Sequence, residues 1–362
     1  MANATSAMRV AIGVSCLSAL LLTGCASMGP ATIGRDRLDY DSAISTSWKR
    51  TMLLNLVKLR YGDSPMFTDV ASIINSYTLE TTVTLSGTLT ASPGSELGNA
   101  GASGHYADRP TITYHPLLGE QFTRSLMTPI PPRIVMSLIQ SGWPADLVLQ
   151  MMVSSINGVQ NRFGASARAR GADPEFQKIG ATLRRIQASG TVGMRIDKTK
   201  DGEWAVMSLR RTNVTPELLE DIQTLRELLG IRLDAEEIHV VYGSAPQNDE
   251  ELAVVTRSML EILLDTAAAI EVPDAHVADG SVTRTAVFDT DAVVGYQPMI
   301  RIRSGRKKPD NEFVSIPYAD YWFWIDNRDY RSKSIYSFLM ILFSLTHTGP
   351  IEGQPVLTIP TG

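Results

Sequence analysis

Twelve consecutive residues, TLETTVTLSGTL at positions 78–89, alternate without a break between two sets. Leu79, Thr81, Val83, Leu85, Gly87 and Leu89 form one set; Thr78, Glu80, Thr82, Thr84, Ser86 and Thr88 form the other. A period of two belongs to a strand, whose successive side chains point to opposite faces. A helix would instead repeat its apolar positions every three or four residues. The Gly- and Ser-rich stretch ASPGSELGNAGASG that follows reads as a loop, and RPTITYHPL reads as a strand returning antiparallel. A long amphipathic hairpin near residues 78–113 is therefore expected.

Around this hairpin the pattern mixes helices with short strands. Residues 41–61 predict a helix capped by Asp41, with Ile44, Trp48, Met52, Leu56 and Leu59 as its core stripe and Gly62-Asp63 at its end. PPRIVMSLIQSG and WPADLVLQMMVSSING predict two more, with Pro132 and Pro144 in first turns and Gly142 and Gly158 at the ends. Asp173-Pro174-Glu175 opens a helix with Phe176, Ile179, Leu183 and Ile186 on its core face. TVGMRIDKTKDGEWAVMSLR predicts a hairpin turning near Asp201-Gly202. Thr215-Pro216-Glu217 starts a helix that stops at Gly230; EEIHVVYG reads as a strand and EELAVVTRSMLEILLDTAAAI as one long helix. PMIRIRS, EFVSIP, YWFWID and PVLTIP read as strands, and residues 334–345 as an apolar helix. The fold class is α+β with mostly antiparallel short strands. The expected parts are a leader (1–24), a tether (25–40), a helical region carrying the hairpin (41–164) and an α+β domain (165–362).

The only two cysteines, Cys16 and Cys25, lie near the start. Disulfides, CxxC redox chemistry and thiolate zinc sites are thereby excluded from everything beyond them. The fold must stand on its apolar core, for which 44% hydrophobic residues suffice. A formal net charge of −5 disfavours a general nucleic-acid binder.

Residues 10–22, VAIGVSCLSALLL, are an apolar run of signal-peptide length, shorter than the roughly 20 residues of a transmembrane helix. The run ends in Leu22-Thr23-Gly24-Cys25, which resembles the lipobox of bacterial lipoprotein precursors. The resemblance implies cleavage between Gly24 and Cys25, a diacylglycerol on the Cys25 thiol and an acyl chain such as palmitate on its amino group. Several acyl chains suffice for stable anchoring. Ala26 after the cysteine, in place of Asp, implies sorting to the outer membrane, with the body facing the periplasm.

The remaining candidates are weighed residue by residue. The 78–113 hairpin is long enough to cross a membrane. In that reading Leu79, Val83, Leu85 and Leu89 meet lipid and the Thr/Ser face lines a lumen, as in lipoprotein channels whose subunits each donate hairpins to one barrel. Arg109 and Pro110 fit a mid-membrane strand badly, and the alternative is a periplasmic hairpin with one face on the core. The loop glycines Gly98, Gly101 and Gly104 lack the Lys and spacing of a phosphate cradle. In YADYWFWIDNRDY, the rings of Tyr321, Trp322 and Trp324 beside Asp326 and Asp329 could form a ligand platform for a sugar. With Asp320, these carboxylates could serve a glycan hydrolase. A buried strand and capped turn is the other reading. The basic run Arg301, Arg303, Arg306, Lys307, Lys308 could meet anionic head groups or peptidoglycan, or be a solvated loop. His105, His115, His239, His276 and His347 form no metal-ligand motif, and no nucleophile or nucleotide signature is present. No cofactor and no metal are expected.

LNLVKLRYGDSPMF, ITYHPLLGEQF, PIPPRIV, QSGWPADLVL, YWFWIDNRDYRSKS and PVLTIPTG resemble segments of uncharacterised Gram-negative lipoproteins of similar length. That resemblance brings location and no catalytic residue. The sequence thus leads to a non-enzymatic envelope lipoprotein binding envelope proteins or peptidoglycan, with homo-oligomerisation open. The alternatives are a subunit of an oligomeric export channel and a periplasmic glycan hydrolase.

Overall fold

A computed structural model describes residues 28–74, 77–88, 97–108, 111–163, 171–190, 192–199, 202–209, 215–285, 298–346 and 357–360. The chain divides into two compact units, Met1–Thr51 and Met52–Gly362. All described residues of the first belong to helix α1 (Met28–Arg60). Much of the expected tether is therefore helical, and Asp41 lies inside the helix and does not cap it. Pro30 falls in the first turn, where a missing N–H breaks no helical bond, and no Gly or Pro follows Gly34 until Gly62. Ile44 is half-buried and Trp48 exposed, so neither extends a core stripe.

In the second unit, Met52, Leu53, Leu56 and Val57 are buried. Gly62, at φ 72°, ends α1 where a left-handed residue is required. The Asp63 N–H donates to the Lys58 carbonyl (2.8 Å) and the Gly62 N–H to that of Leu59 (3.2 Å), a Schellman close.

Strands β1 (Thr68–Ile74), β2 (Tyr77–Thr88), β3 (Leu97–Asp108) and β4 (Thr111–Pro116) follow. β2 pairs antiparallel with β3, from Tyr77–Asp108 to Thr88–Leu97. β1 pairs with β4, from Thr68–Pro116 to Ile74–Thr111. The expected pairing is corrected here: the return strand is β3, whose Gly98, Gly101 and Gly104 had read as loop. β4, expected to return against β2, pairs with β1. Glycine has poor strand propensity, and strand pairing overrides it. Leu79, Val83 and Leu85 belong to β2; Leu89 and the disposition of the hairpin's side chains lie outside the described residues.

A short helix, α2 (Gly119–Phe122), runs into a π-helical turn at Thr123–Met127. Helix α3 (Pro132–Gln140) starts with Pro132 in its first turn, as expected, whereas Pro144 sits at the N-cap, one residue before α4 (Ala145–Met152). α4 then stops early, because Val153-Ser-Ser-Ile156 forms β5 (Val153–Ile156), which turns into β6 (Val159–Gln160). The turn is Asn157-Gly158, both at positive φ (46° and 84°), the arrangement a two-residue hairpin loop demands. Asn157 also accepts from the Ala253 N–H (2.7 Å) and donates to the Leu229 carbonyl (2.6 Å).

Next come α5 (Pro174–Ala188), β7 (Val192–Thr199), β8 (Gly202–Leu209), α6 (Pro216–Leu229), β9 (Glu237–Tyr242), β10 (Glu251–Thr256) and α7 (Met259–Ala268). The expected long helix from Glu250 is thus half strand. Ser258 starts α7 with a full capping box: its hydroxyl accepts from the Glu261 N–H, and Glu261 accepts from the Ser258 N–H. Asp173 sits at the start of α5, but its carboxylate accepts from the Gln160 N–H instead of capping.

One six-stranded sheet, in the order β6-β5-β10-β9-β8-β7, joins strands from both sides of residue 164. The two parts expected to divide there therefore share a sheet and an apolar core. Among the described residues of this sheet, only the β9–β10 pair is parallel. α3 lies across β7 to β10, and α4, α5 and α6 pack side by side from it.

The chain continues through α8 (Asp274–Ala278), β11 (Arg303–Gly305), β12 (Glu312–Tyr318), β13 (Tyr321–Asp326), α9 (Tyr330–Thr346) and β14 (Leu357–Pro360). β13 is central in an antiparallel sheet, β11-β13-β12, with α9 packed on it. β14 adds to the outer edge of β4. The fold is α+β. No helix among the described residues is long and apolar enough to cross a membrane.

Candidate functional site

The β12–β13 hairpin is closed by Ala319 and Asp320, at φ 45° and 62°. Both lie in the left-handed region, as a two-residue hairpin loop demands. Asp320 is here a turn residue. The turn sets Tyr318 opposite Tyr321.

Both rings belong to a cluster drawn from distant parts of the chain. Tyr61, just after α1, lies 5.1 Å from Tyr318 and 5.9 Å from Phe323, centroid to centroid. Its hydroxyl hydrogen-bonds His276 Nδ1 of α8 at 2.7 Å. The His276 ring meets Tyr321 edge-on at 4.7 Å. Arg306 stacks over Tyr321 at 5.3 Å, and its Nε donates to the Tyr321 hydroxyl at 3.1 Å. The Tyr318 hydroxyl donates to Asp63 Oδ2 at 3.2 Å. Burial pushes the Tyr61 phenol up to about 12, against the pull of neighbouring Arg60. Burial, then Asp63, also raises that of Tyr318. Both phenols are thereby held in the protonated form at neutral pH.

Of the expected platform, only Tyr321 joins this cluster. Phe323 and Ile325 face the core, while Trp322 and Trp324 are half-buried on the other side of β13. The Lys308 ammonium lies 5.7 Å from the Trp322 ring centre. Trp324 packs on Gly305 of β11, where an added Cβ would come within 3.2 Å of the indole. The outer Trp face is thus partly covered by the chain itself.

Asp326 and Asp329 are engaged in local structure. Asp326 accepts from the Arg328 N–H at 2.9 Å and lies 3.6 Å from Arg303. Asp329 accepts from the Ser332 N–H (3.0 Å) and hydroxyl (2.7 Å) at the start of α9. Burial alone would raise the Asp329 carboxyl. The two Ser332 bonds, with Arg301 and Arg303, outweigh it and hold the group below the usual carboxylate range. Its contribution to stability is therefore present above about pH 4 and lost as pH falls through the depressed native value. Asp329→Ala should lower stability by about 1 kcal/mol at pH 7, and Asp329→Asn by less, because Asn also caps. Thermal melts of both variants at pH 7 and pH 3 check this, with the difference from wild type shrinking at pH 3.

Members of the basic run pair locally at the surface: Arg303 with Asp326, Arg306 with Tyr321 and Lys308 with Glu312 at 3.9 Å. Among the described residues, no group of three or more His, Cys, Asp or Glu could hold a metal. Gly24 and Cys25 lie outside the described residues. The pairings of Tyr61 with His276 and of Asp63 with Tyr318 were not legible, since nothing local marks contacts across more than 200 residues of chain.

Comparison with known proteins finds no family model, no curated protein and no solved structure that matches this chain.

Proposed function

We propose that this chain is a non-enzymatic component of a bacterial cell envelope, held at the outer membrane by lipid on Cys25. Its α+β body faces the periplasm and binds partner proteins, the cell wall or further copies of itself. The observation that carries the reading is Leu22-Thr23-Gly24-Cys25 closing a short apolar run, with no cysteine anywhere after it. The engagement of Asp326 and Asp329 in a turn and a helix cap supports binding over glycan hydrolysis. The Tyr61–His276–Tyr321–Arg306 cluster supplies a polar aromatic surface for such binding.

The test is Cys25→Ser. Wild type should incorporate labelled palmitate and remain with membranes through a high-salt wash. The variant should lose the label and become soluble with an unchanged melting temperature. An unlabelled wild type, or a variant that still takes up the label, refutes the anchor. The channel reading draws on a separate observation, the length of β2 and β3, which bears on the partner.

A further inference from the structure

We infer that copies of this chain join through the hairpin, the outer edge of β2 in one copy pairing antiparallel with the outer edge of β3 in the next. This deepens the reading above by naming a second copy as partner, and it does not depend on the lipid.

The β1–β4 and β2–β3 ladders share one register. Ile74 pairs with Thr111 and Tyr77 with Asp108, three residues on along one strand and three back along the other. Near the root the ladder is widened, because β14 covers β4 from Thr111 to Tyr114. Beyond it, β2 and β3 form a sheet of two strands, and among the described residues no third strand pairs with either. An isolated two-stranded ribbon is at best marginally stable in water. In an antiparallel strand, alternate residues turn both backbone groups outward. Each twelve-residue edge thus presents about a dozen donors and acceptors without a ladder partner.

Monomeric proteins protect such edges with charges, especially Lys, or with Pro. Here, positions 81–88 of β2 and 97–104 of β3 contain no Asp, Glu, Lys, Arg, His or Pro. Over these eight positions of each strand, two copies meet without like-charge opposition; Glu80, His105 and Asp108 lie nearer the root. The root is apolar as well. Met66 and Leu118, 60% and 55% exposed, flank the residues joined by the Leu117 N–H to Phe67 carbonyl bond (2.9 Å).

The two edges are equal in length and opposite in direction. Repeating one contact therefore satisfies both edges of every copy, and a head-to-tail contact that closes makes a ring. Twelve residues span about 40 Å at a strand's rise. At the usual tilt of barrel strands this covers a hydrocarbon core of about 30 Å.

Because the chain has no cysteine beyond Cys25, single cysteines report cleanly. Thr84→Cys in one tagged chain and Ser103→Cys in a differently tagged chain would be co-expressed. The protein would be purified in mild detergent and treated with a short bifunctional maleimide. Cross-linked dimers carrying both tags are expected, with little product between two Thr84→Cys chains. A two-tag yield no higher than that of unsubstituted controls overturns the inference, as does product confined to Thr84→Cys pairs. Replacing residues 77–108 by a short Gly-Ser turn should leave a folded monomer with a cooperative melt. A multimer of unchanged mass would refute hairpin assembly. Repeating the cross-link in Cys25→Ser chains separates a failed anchor from a failed interface.

Discussion

Asp265→Asn should destabilise the protein by about 3–5 kcal/mol, the cost of breaking a buried ion pair from one side. Asp265, on α7, is 1% exposed, and its Oδ2 accepts from Arg162 Nη2 at 2.7 Å and from Arg257 Nη1 at 3.3 Å. The Arg257 side chain is 2% exposed and also donates to the Arg162 carbonyl. Two guanidinium groups thus share one carboxylate. Burial lowers the Arg257 pKa, and Asp265 opposes that shift. Asn preserves shape and accepting oxygen while removing the only negative charge of the triad. Urea unfolding should show the midpoint falling with the slope unchanged. Replacing all three residues together by apolar residues of similar volume should recover much of the loss. A loss under 1 kcal/mol for Asp265→Asn would mean that the triad is hydrated.

Arg226→Met should cost about 2–4 kcal/mol, through hydrogen bonds that Met cannot make. Arg226 lies in α6 and is almost wholly buried. Its guanidinium donates to the Arg232 carbonyl at 3.1 Å, to that of Leu233, and to that of Ala235 at 2.6 Å. One side chain therefore fixes the connection between α6 and β9. Met fills similar volume and leaves those carbonyls without this donor. Amide exchange should accelerate first at residues 231–236, ahead of any change in β8. Uniform acceleration across the sheet would place the role of Arg226 in global packing.

Neither network was legible in the sequence, because a buried Arg and a surface Arg look alike until the fold sets their neighbours. Helix ends were legible where one residue carries the signal: Gly62, Gly230 and Thr215 each end or cap a helix as expected. Two local signals run against the apolar periodicity around them. Asn157-Gly158 is a hairpin turn, and Ser258-x-x-Glu261 is a capping box; each was absorbed into an apolar run that periodicity assigned to helix. β3 was hidden for another reason, since its glycines and alanines carry no alternation. Within the aromatic segment, the alternation of Trp322, Phe323 and Trp324 was read correctly. The engagement of Tyr321 with His276 and Arg306 depends on chain folding that no spacing reveals.

The pairing of Leu357 with Tyr114 sets a clock for the molecule. β14 is made last among the described strands, yet it covers β4 at the root of the hairpin. Closing so long a segment is entropically costly and kinetically slow. During synthesis the outer edge of β4 stays bare until the body between the two strands has been made. The root of the hairpin is therefore completed late. A chain truncated before β14 should keep its six-stranded sheet while leaving the hairpin's base unfinished.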